Sequence, residues 1–441
     1  MSATLLDRCV EVAASLELER VPEPVVCHAG HTIADTVGVI RGGMRQPEMR
    51  RLLDLLADEH LLSESSAAPF ATSTVLDGRG LRTAPAQAAF LNATAGTFLE
   101  LDEGVRPTGH PGMHVVPAAL AVAESTHASG RELLRAVLAG YEVTARLFQA
   151  IRLTYPVHPH GHFGAVGAAV AVALLAGPEP VAAARIASTT PLLPVWDACY
   201  EGATARNTYM GYAAQMGVVA TTLARSGFRG SQHALTVAYG QVAGELVDAE
   251  ALERELAYDD LGITHNYFKR HSACALSHAA IDAVRGLDLP APELIERIRV
   301  ETVSNNLKLD RQPLPNDLSA RFSLPYAVAT AVWFGRTGPE EFQFRPEVAR
   351  LAERVEIAVT PDLEAEWPEA APARVRVISR DGERSATVKN PHGHWTDPLT
   401  PEELQGKFRQ LIDDQEDAAT WWARLTDLPR VGDCADLWQA R

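Results

Sequence analysis

The chain has 441 residues, of which 46% are hydrophobic and 22% are charged, and its formal net charge is −16 at pH 7. This composition is typical of a folded globular protein and excludes extensive disorder. The negative charge argues against nucleic acid or a membrane surface as a partner, because both require a positive face. A local group of Arg and Lys would still suffice for an anionic small substrate. The length favours two domains over one.

The cysteines and the N-terminus indicate a cytoplasmic location. Five cysteines are scattered along the chain without a Cys-x-x-C pair, so we expect reduced thiols and neither a disulfide framework nor a zinc ribbon. The N-terminal residues show no basic leader followed by an apolar run, so no signal peptide is predicted. The longest apolar run, residues 163–176, is shorter than the roughly 20 residues of a membrane span.

The first two thirds of the sequence predict helices. The clearest helical spacing covers residues 131–151, where Ser129 and Glu132 form a capping box. No segment before about residue 290 has a convincing strand pattern, so this part is expected to be all helical. The other predicted helices are 5–16, 31–41, 84–99, 117–128, 163–176, 181–187, 211–225 and 231–246.

Strand patterns begin after residue 290. Alternating residues predict strands at 298–303 and 354–359, and a hairpin turns at Asp381-Gly382. The sequence therefore predicts a mainly α protein with a large all-helical domain and a smaller α+β lid domain. The predicted boundaries are residues 1–267 for the helical domain, with 400–441 returning to it, and 268–399 for the lid. A cleft between two domains is a usual place for a ligand.

The segment 99–114 is the first candidate site. Three carboxylates, Glu100, Asp102 and Glu103, are followed by His110 and His114 in a turn-rich stretch between two predicted helices. Carboxylates and imidazoles together can divide acid and base roles, and such groups are often carried on loops held by rigid elements. A solvated loop with ordinary helix caps is the alternative.

Three alternating histidines form the second candidate. His158, His160 and His162 would face one side of an extended chain. A metal site is one interpretation, and a polar loop with one functional histidine is the other. We favour the role without metal, because no Glu or Cys lies nearby at ligand spacing.

Two further segments carry cations. Lys269 lies at the predicted domain boundary and is either a carboxylate-binding or proton-transfer lysine or part of a solvated linker. Arg206 could hold a substrate carboxylate or form a surface ion pair. Cys274 could be a nucleophile, although a buried apolar Cys is commoner. No P-loop, G-x-S-x-G, H-E-x-x-H or EF-hand motif is present, so we expect no nucleotide, cofactor or metal.

Taken together, six segments in order resemble the MmgE/PrpD family of 2-methylcitrate dehydratases. The resemblance implies a homodimer with a helical domain and a lid, and cofactor-free lyase or isomerase chemistry on small di- or tricarboxylates. Members include 2-methylcitrate dehydratase, cis-aconitate decarboxylase and iminodisuccinate epimerase. The matching segments are GHPG followed by VVPAALA, residues 140–146, 158–169, 269–282, 322–328 and 397–408.

The resemblance also implies site residues. The family motif Asp-x-Asp-Asp-Thr falls on 100–104, where this chain has Glu100 first and Gly104 in place of the Thr. Family histidines match His110 and His158. One family lysine matches Lys269, and another falls on an arginine at position 206. The missing Thr and this Lys-to-Arg change argue against dehydration or decarboxylation, and the acidic motif is more similar to the epimerase branch.

The sequence hypothesis is therefore a cofactor-independent epimerase acting at the carbon next to a carboxylate of a small dicarboxylate. Lys269 is predicted as one base and Tyr141 or His110 as the other. The alternative is a hydro-lyase of the 2-methylcitrate type or a decarboxylase. A dimeric binding protein without catalysis is the third hypothesis. In the main hypothesis Arg206 and His158 hold carboxylates, Asp102 orients His110, and Glu100 lines the pocket.

Overall fold

The computed structural model describes residues 3–65, 68–106, 109–177, 179–312 and 314–439. Over these residues the fold is mainly α-helical, as the sequence predicts. None of the described helices is both long and apolar enough to cross a bilayer. The α-helices are α1 (Leu5–Ala14), α2 (Glu23–Met44), α3 (Pro47–Asp58), α4 (Pro85–Thr97), α5 (Pro111–Ser125), α6 (Gly130–Ala150), α7 (Gly164–Ala176), α8 (Pro180–Thr189), α9 (Asp197–Tyr200), α10 (Thr208–Arg225), α11 (Glu250–Glu253), α12 (His278–Arg285), α13 (Asp317–Arg321), α14 (Leu324–Phe334), α15 (Pro346–Ala352), α16 (Pro361–Glu364), α17 (Pro401–Leu411) and α18 (Gln415–Thr426).

Strands are concentrated in the second half of the chain. The sheet there has the order β10-β9-β7-β8, with β7 and β8 parallel and the other pairs antiparallel. The hairpin predicted around Asp381-Gly382 joins β9 to β10. The strands are β1 (Ser73–Thr74), β2 (Arg82–Thr83), β3 (Gly104–Val105), β4 (Ile151–Leu153), β5 (Gly244–Leu246), β6 (Asn266–Tyr267), β7 (Ile295–Thr302), β8 (Val355–Val359), β9 (Ala373–Ser379) and β10 (Gly382–Val388).

Small residues allow the helices of the first half to pack closely. Helix α7 is buried along most of its length and packs against α5, α6 and α10. A Cβ atom at Gly167 would lie 2.3 Å from the carbonyl oxygen of Gly140 on α6, so this crossing requires glycine. The capping box of Ser129 and Glu132 opens α6 as predicted.

Two of the apolar cores among the described residues lie next to the site, and the C-terminal helices join the first of them. Helices α17 and α18 pack on α2, where Phe408 occupies the space that a side chain at Gly38 would need. The second core lies where α12 and α14 pack with the four-stranded sheet, and Val375 and Val377 of β9 point into it. Residues of both parts border the cavity described below.

Three sequence expectations about elements are wrong. Among the described residues before 290 there are six short strands, β1 to β6. The sequence did not predict them, because strands of two or three residues are too short to show an alternating pattern. The helix predicted at 231–246 is a π-helical segment, Leu235–Val242, followed by β5. Helix α5 begins at Pro111 and not at Pro117, since proline is favoured at the first helical position.

Candidate active site

A two-residue strand pairing holds the acidic loop against a distant part of the chain. Strand β3 pairs antiparallel with β6, with Gly104 opposite Tyr267. Lys269 follows β6 by two residues, so this pairing brings its ammonium to the carboxylates of the loop. Glu100 has a φ of 49°, a left-handed conformation that costs free energy in a residue with a side chain. The fold therefore retains a strained residue at the centre of the cluster.

Two cations and two carboxylates form a buried network. Nζ of Lys269 lies 3.0 Å from Oε2 of Glu100 and 3.1 Å from Oδ1 of Asp102. A guanidinium nitrogen of Arg206 lies 2.5 Å from Oε1 of Glu100. All four residues are at most 1% exposed, so their charges interact in a medium of low effective dielectric. The formal charges of the four groups cancel.

The network sets the protonation of its members. Burial alone would lower the pKa of Lys269, but the carboxylates of Asp102 and Glu100 outweigh it and raise that pKa. Burial opposes ionisation of Asp102, but the ammonium of Lys269 and then the imidazole of His110 lower its pKa. For Arg206, the carboxylate of Glu100 outweighs burial and raises the pKa. Lys269 is thus an ammonium beside an ionised Asp102.

His110 is held in one tautomer. Its Nδ1 lies 2.7 Å from the carbonyl oxygen of Glu103 and 2.8 Å from Oδ2 of Asp102. Because a carbonyl oxygen only accepts hydrogen bonds, Nδ1 carries the hydrogen. In the neutral ring, Nε2 on the opposite side then has a free lone pair. Asp102 accordingly contacts Lys269 with one oxygen and His110 with the other.

The three alternating histidines do not converge as a set. His158 and His160 line the same cavity as His110, and the rings of His110 and His160 lie 4.4 Å apart between centroids. Burial, and then the charge of Arg206, lower the pKa of both His158 and His160 well below the usual value. His162 points elsewhere and packs against Tyr239. The loop curves after position 160, so alternation no longer selects one side.

One group in this region has the spacing of a metal site. Ligand atoms of Asp102, His110 and His160 lie within 4.8 Å of one another. However, Lys269 already contacts Asp102 at 3.1 Å, and a nitrogen of Arg206 lies 3.5 Å from Nε2 of His160. Two fixed cations beside the ligands oppose binding of a third. The donor set is better suited to proton transfer than to holding a metal ion.

Tyr141 lies behind the cavity wall. Its hydroxyl donates a 2.6 Å hydrogen bond to Oε2 of Glu103, whose Oε1 accepts the backbone N–H of Gly112 at 2.5 Å. Burial, and then the charge of Glu103, raise the pKa of Tyr141. The next residue on α6, Glu142, forms a salt bridge with Arg146, as the i, i+4 spacing indicates.

A cavity of about 640 Å³ collects the reactive groups. Glu100, His110, His158 and Lys269 line it, whereas Asp102, Tyr141 and Arg206 stand behind these residues. The remaining lining residues are Arg106, Phe148, Gln149, Ile151, Arg152, Leu153, Tyr155, Val157, Pro159, His160, Trp196, Val247, Tyr267, Cys274, Ala275, Leu276, Asn305, Lys308, Phe322, Trp367 and Pro368.

Sequence reasoning missed some residues of this wall. Arg106, Tyr267 and Lys308 border the cavity but lie in no motif that carries chemistry by itself. The available signal for Arg106 was its position in the sequence, because it is a cation two residues after the acidic motif at 100–104. Cys274 is buried, and burial raises its pKa, which agrees with the interpretation as an apolar thiol.

The chain is similar to known proteins along most of its length. Residues 7–250 match the MmgE/PrpD N-terminal domain, and residues 271–422 match the MmgE/PrpD C-terminal domain. The chain is 29% identical to cis-aconitate decarboxylase of Homo sapiens over 77% of this chain and 75% of that protein. It is 24% identical to cis-aconitate decarboxylase of Aspergillus terreus over 96% of this chain and 90% of that protein.

Proposed function

The chain belongs to the MmgE/PrpD family, and from this premise we propose that it is a cofactor-independent lyase acting on a small di- or tricarboxylate. The relatives described above are decarboxylases, which are lyases. Their similarity supports the lyase alternative better than the epimerase that the sequence led us to expect. At 24–29% identity it supports a reaction class and not a particular substrate.

The observation that carries the proposal is the position of Asp102 between two proton-transfer groups. One of its oxygens contacts the ammonium of Lys269 and the other contacts Nδ1 of His110. This arrangement orients the imidazole as a base and keeps the lysine charged as an acid. Acid–base elimination requires one group placed to accept a proton and a second group that carries one.

The steps of an elimination follow from these states. Nε2 of His110 removes a proton from the carbon next to a substrate carboxylate, and the electron pair moves towards that carboxylate. The ammonium of Lys269 stabilises the developing negative charge. If the leaving group is a hydroxyl, Lys269 gives it a proton as the C–O bond breaks. A decarboxylation omits the proton removal: carbon dioxide leaves without the electron pair of the C–C bond, this pair stays on the substrate, and Lys269 donates a proton to the carbon that receives it.

These roles revise the bases expected from the sequence. Lys269 now supplies a proton or a charge, and His110 is the base. Tyr141 is an indirect contributor, because its hydroxyl is bound to Glu103 and it does not border the cavity. Arg206 pairs with Glu100 and does not border the cavity, so other cations are proposed to bind the substrate carboxylates. His158 keeps the predicted position in the wall.

The test is turnover of a panel that includes cis-aconitate, citrate and 2-methylcitrate. We expect release of carbon dioxide or absorbance of a new C=C bond, and a loss of about 10²–10⁴-fold in kcat for Lys269→Met. Lys389→Met is the matched control, since Lys389 is exposed and pairs with Glu366 at the surface. Wild-type rates in Lys269→Met, or no bond cleavage across the panel, would contradict the proposal.

Epimerisation remains a second candidate because of Arg206. A guanidinium does not give up its proton in proteins, so Arg206 cannot act as the acid that a lysine at this position could be. In an epimerisation His110 and Lys269 would remove a proton from the substrate carbon and return one to it, and this needs no further acid at position 206. Deuterium incorporation from solvent without any cleavage would select this function. The predicted homodimer is tested on the same sample by light scattering.

A further inference from the structure

The charged residues of the cavity wall are unequally paired. Among the described residues that line it, Glu100 is the one carboxylate, and Lys269 and Arg206 already neutralise it. Arg106, Arg152 and Lys308 also border the cavity, and none of them forms a salt bridge with a carboxylate in the described part of the chain. The wall therefore carries positive charge that the protein itself does not balance.

Arg106 is the most constrained of these cations. Its side chain is half-buried, and its Nε atom is fully buried without a hydrogen-bond partner among the described residues. Burial lowers the pKa of Arg106, which records the cost of removing a guanidinium from water. Buried charges in proteins are normally paired or bind a ligand. A guanidinium left unpaired in a cavity is suited to an anion.

Tyr267 positions this guanidinium. The carbon at the centre of the Arg106 guanidinium lies 5.5 Å from the centroid of the Tyr267 ring, within cation–π range. The backbone of Tyr267 is fixed by its pairing with Gly104, and a Cβ atom at Gly104 would lie only 2.5 Å from the tyrosine hydroxyl. The absence of a side chain at Gly104 therefore leaves room for the ring on which Arg106 rests.

We propose that Arg106, supported by the Tyr267 ring, binds a carboxylate of the substrate that is distant from the reacting carbon. A planar guanidinium can hold a carboxylate through two parallel N–H···O bonds. This assignment rests on the proposed function only in calling the ligand a substrate. The site itself requires a di- or tricarboxylate of any reactivity, with one carboxylate at Arg106 and another near Lys269.

Binding of an unreactive ligand tests the site without turnover. Tricarballylate (propane-1,2,3-tricarboxylate) has neither a hydroxyl nor a C=C bond, and its affinity is measured by isothermal titration calorimetry. We expect Arg106→Gln to weaken binding by about 10- to 100-fold, as for loss of charge-assisted hydrogen bonds. Arg106→Lys should recover part of this loss, because it keeps the charge but not the planar fork.

The control is Arg152→Gln. Arg152 borders the same cavity but its side chain is exposed, so we expect affinity within about twofold of wild type. Equal affinities of Arg106→Gln and wild type overturn the proposal, and so does wild-type protein that does not bind tricarballylate. If no substrate of the panel is turned over but tricarballylate binding still depends on Arg106, the proposed reaction is rejected and the proposed binding site is retained.

Discussion

Glu103 offers a direct test of the buried electrostatics next to the site. Burial raises its pKa from 4.5 to about 8, although hydrogen bonds from Tyr141 and the backbone of Gly112 oppose the shift. A neutral Glu103 presents one carbonyl oxygen and one hydroxyl to these two partners. When Glu103 is protonated, its hydroxyl donates to the tyrosine oxygen, which then accepts a hydrogen bond where it donated one to the carboxylate. In Glu103→Gln the amide presents a carbonyl oxygen to Gly112 and an NH₂ to the tyrosine oxygen, so the variant reproduces the hydrogen bonds of the protonated acid at every pH.

The sign of the effect follows from proton binding. Between about pH 4.5 and pH 8 the folded state keeps the proton of Glu103, whereas the unfolded chain releases it. The folded state then binds more protons, so the free energy of unfolding decreases as pH rises. At about 1.36 kcal/mol for each pKa unit, the wild type loses about 3 kcal/mol between pH 4.5 and pH 7. Glu103→Gln does not titrate and avoids this loss.

The assay is urea unfolding of both proteins at several pH values from 5 to 8. We expect Glu103→Gln to be the more stable by about 3 kcal/mol at pH 7, with the difference shrinking on acidification. Glu132→Gln is a control with the opposite effect on stability. Hydrogen bonds from Ser129 lower the pKa of Glu132, so its ionised form stabilises the folded state at neutral pH and the variant should be less stable than wild type there. Parallel stability curves for wild type and Glu103→Gln would show an ionised Glu103 and refute the reasoning.

Two further predictions concern packing and thiol access. Gly104→Ala should destabilise the protein by about 1–3 kcal/mol in urea, because the new methyl group meets the Tyr267 hydroxyl. Gly406→Ala, on an open face of α17, should instead stabilise it by up to about 1 kcal/mol. An unchanged Gly104→Ala would contradict the packing argument. Iodoacetamide should label the exposed Cys27 in the folded protein and the buried Cys274 only in urea. The labelled positions are identified by mass spectrometry, and labelling of Cys274 in the folded protein would contradict its burial.

The longer helices were predictable because their signals are local. The capping box at Ser129 and Glu132 lies within one turn of the helix that it opens, and the small residues of α7 indicate close packing without reference to a partner. The helix start at Pro111 was missed because the acidic and histidine-rich stretch before it was interpreted as one continuous loop. The pairing of β3 with β6 involves two residues on each side, and no periodicity can be detected in two residues.

The site was predictable in composition and less so in arrangement. Lys269, Asp102 and His110 were predicted together, and the structure brings them into contact. Which of them faces the cavity depends on side-chain directions set by distant packing. The sequence therefore could not place Arg206 behind Glu100 or Tyr141 behind the wall. Residue type predicts a chemical capability, whereas pairing decides which charges are left for a ligand.

On the proposed function, this distinction between paired and unpaired charges gives a chain of net charge −16 a local site for a polycarboxylate. The charge of Lys269 is balanced within the protein, so this group is held in place before any substrate arrives and needs no reorganisation during the reaction. Arg106 is not balanced, so its attraction is available for binding. Substrate binding at Arg106 would neutralise this cation while leaving the Asp102 contacts intact. Affinity and catalysis would then depend on different residues, which is why Arg106 and Lys269 variants should separate the two.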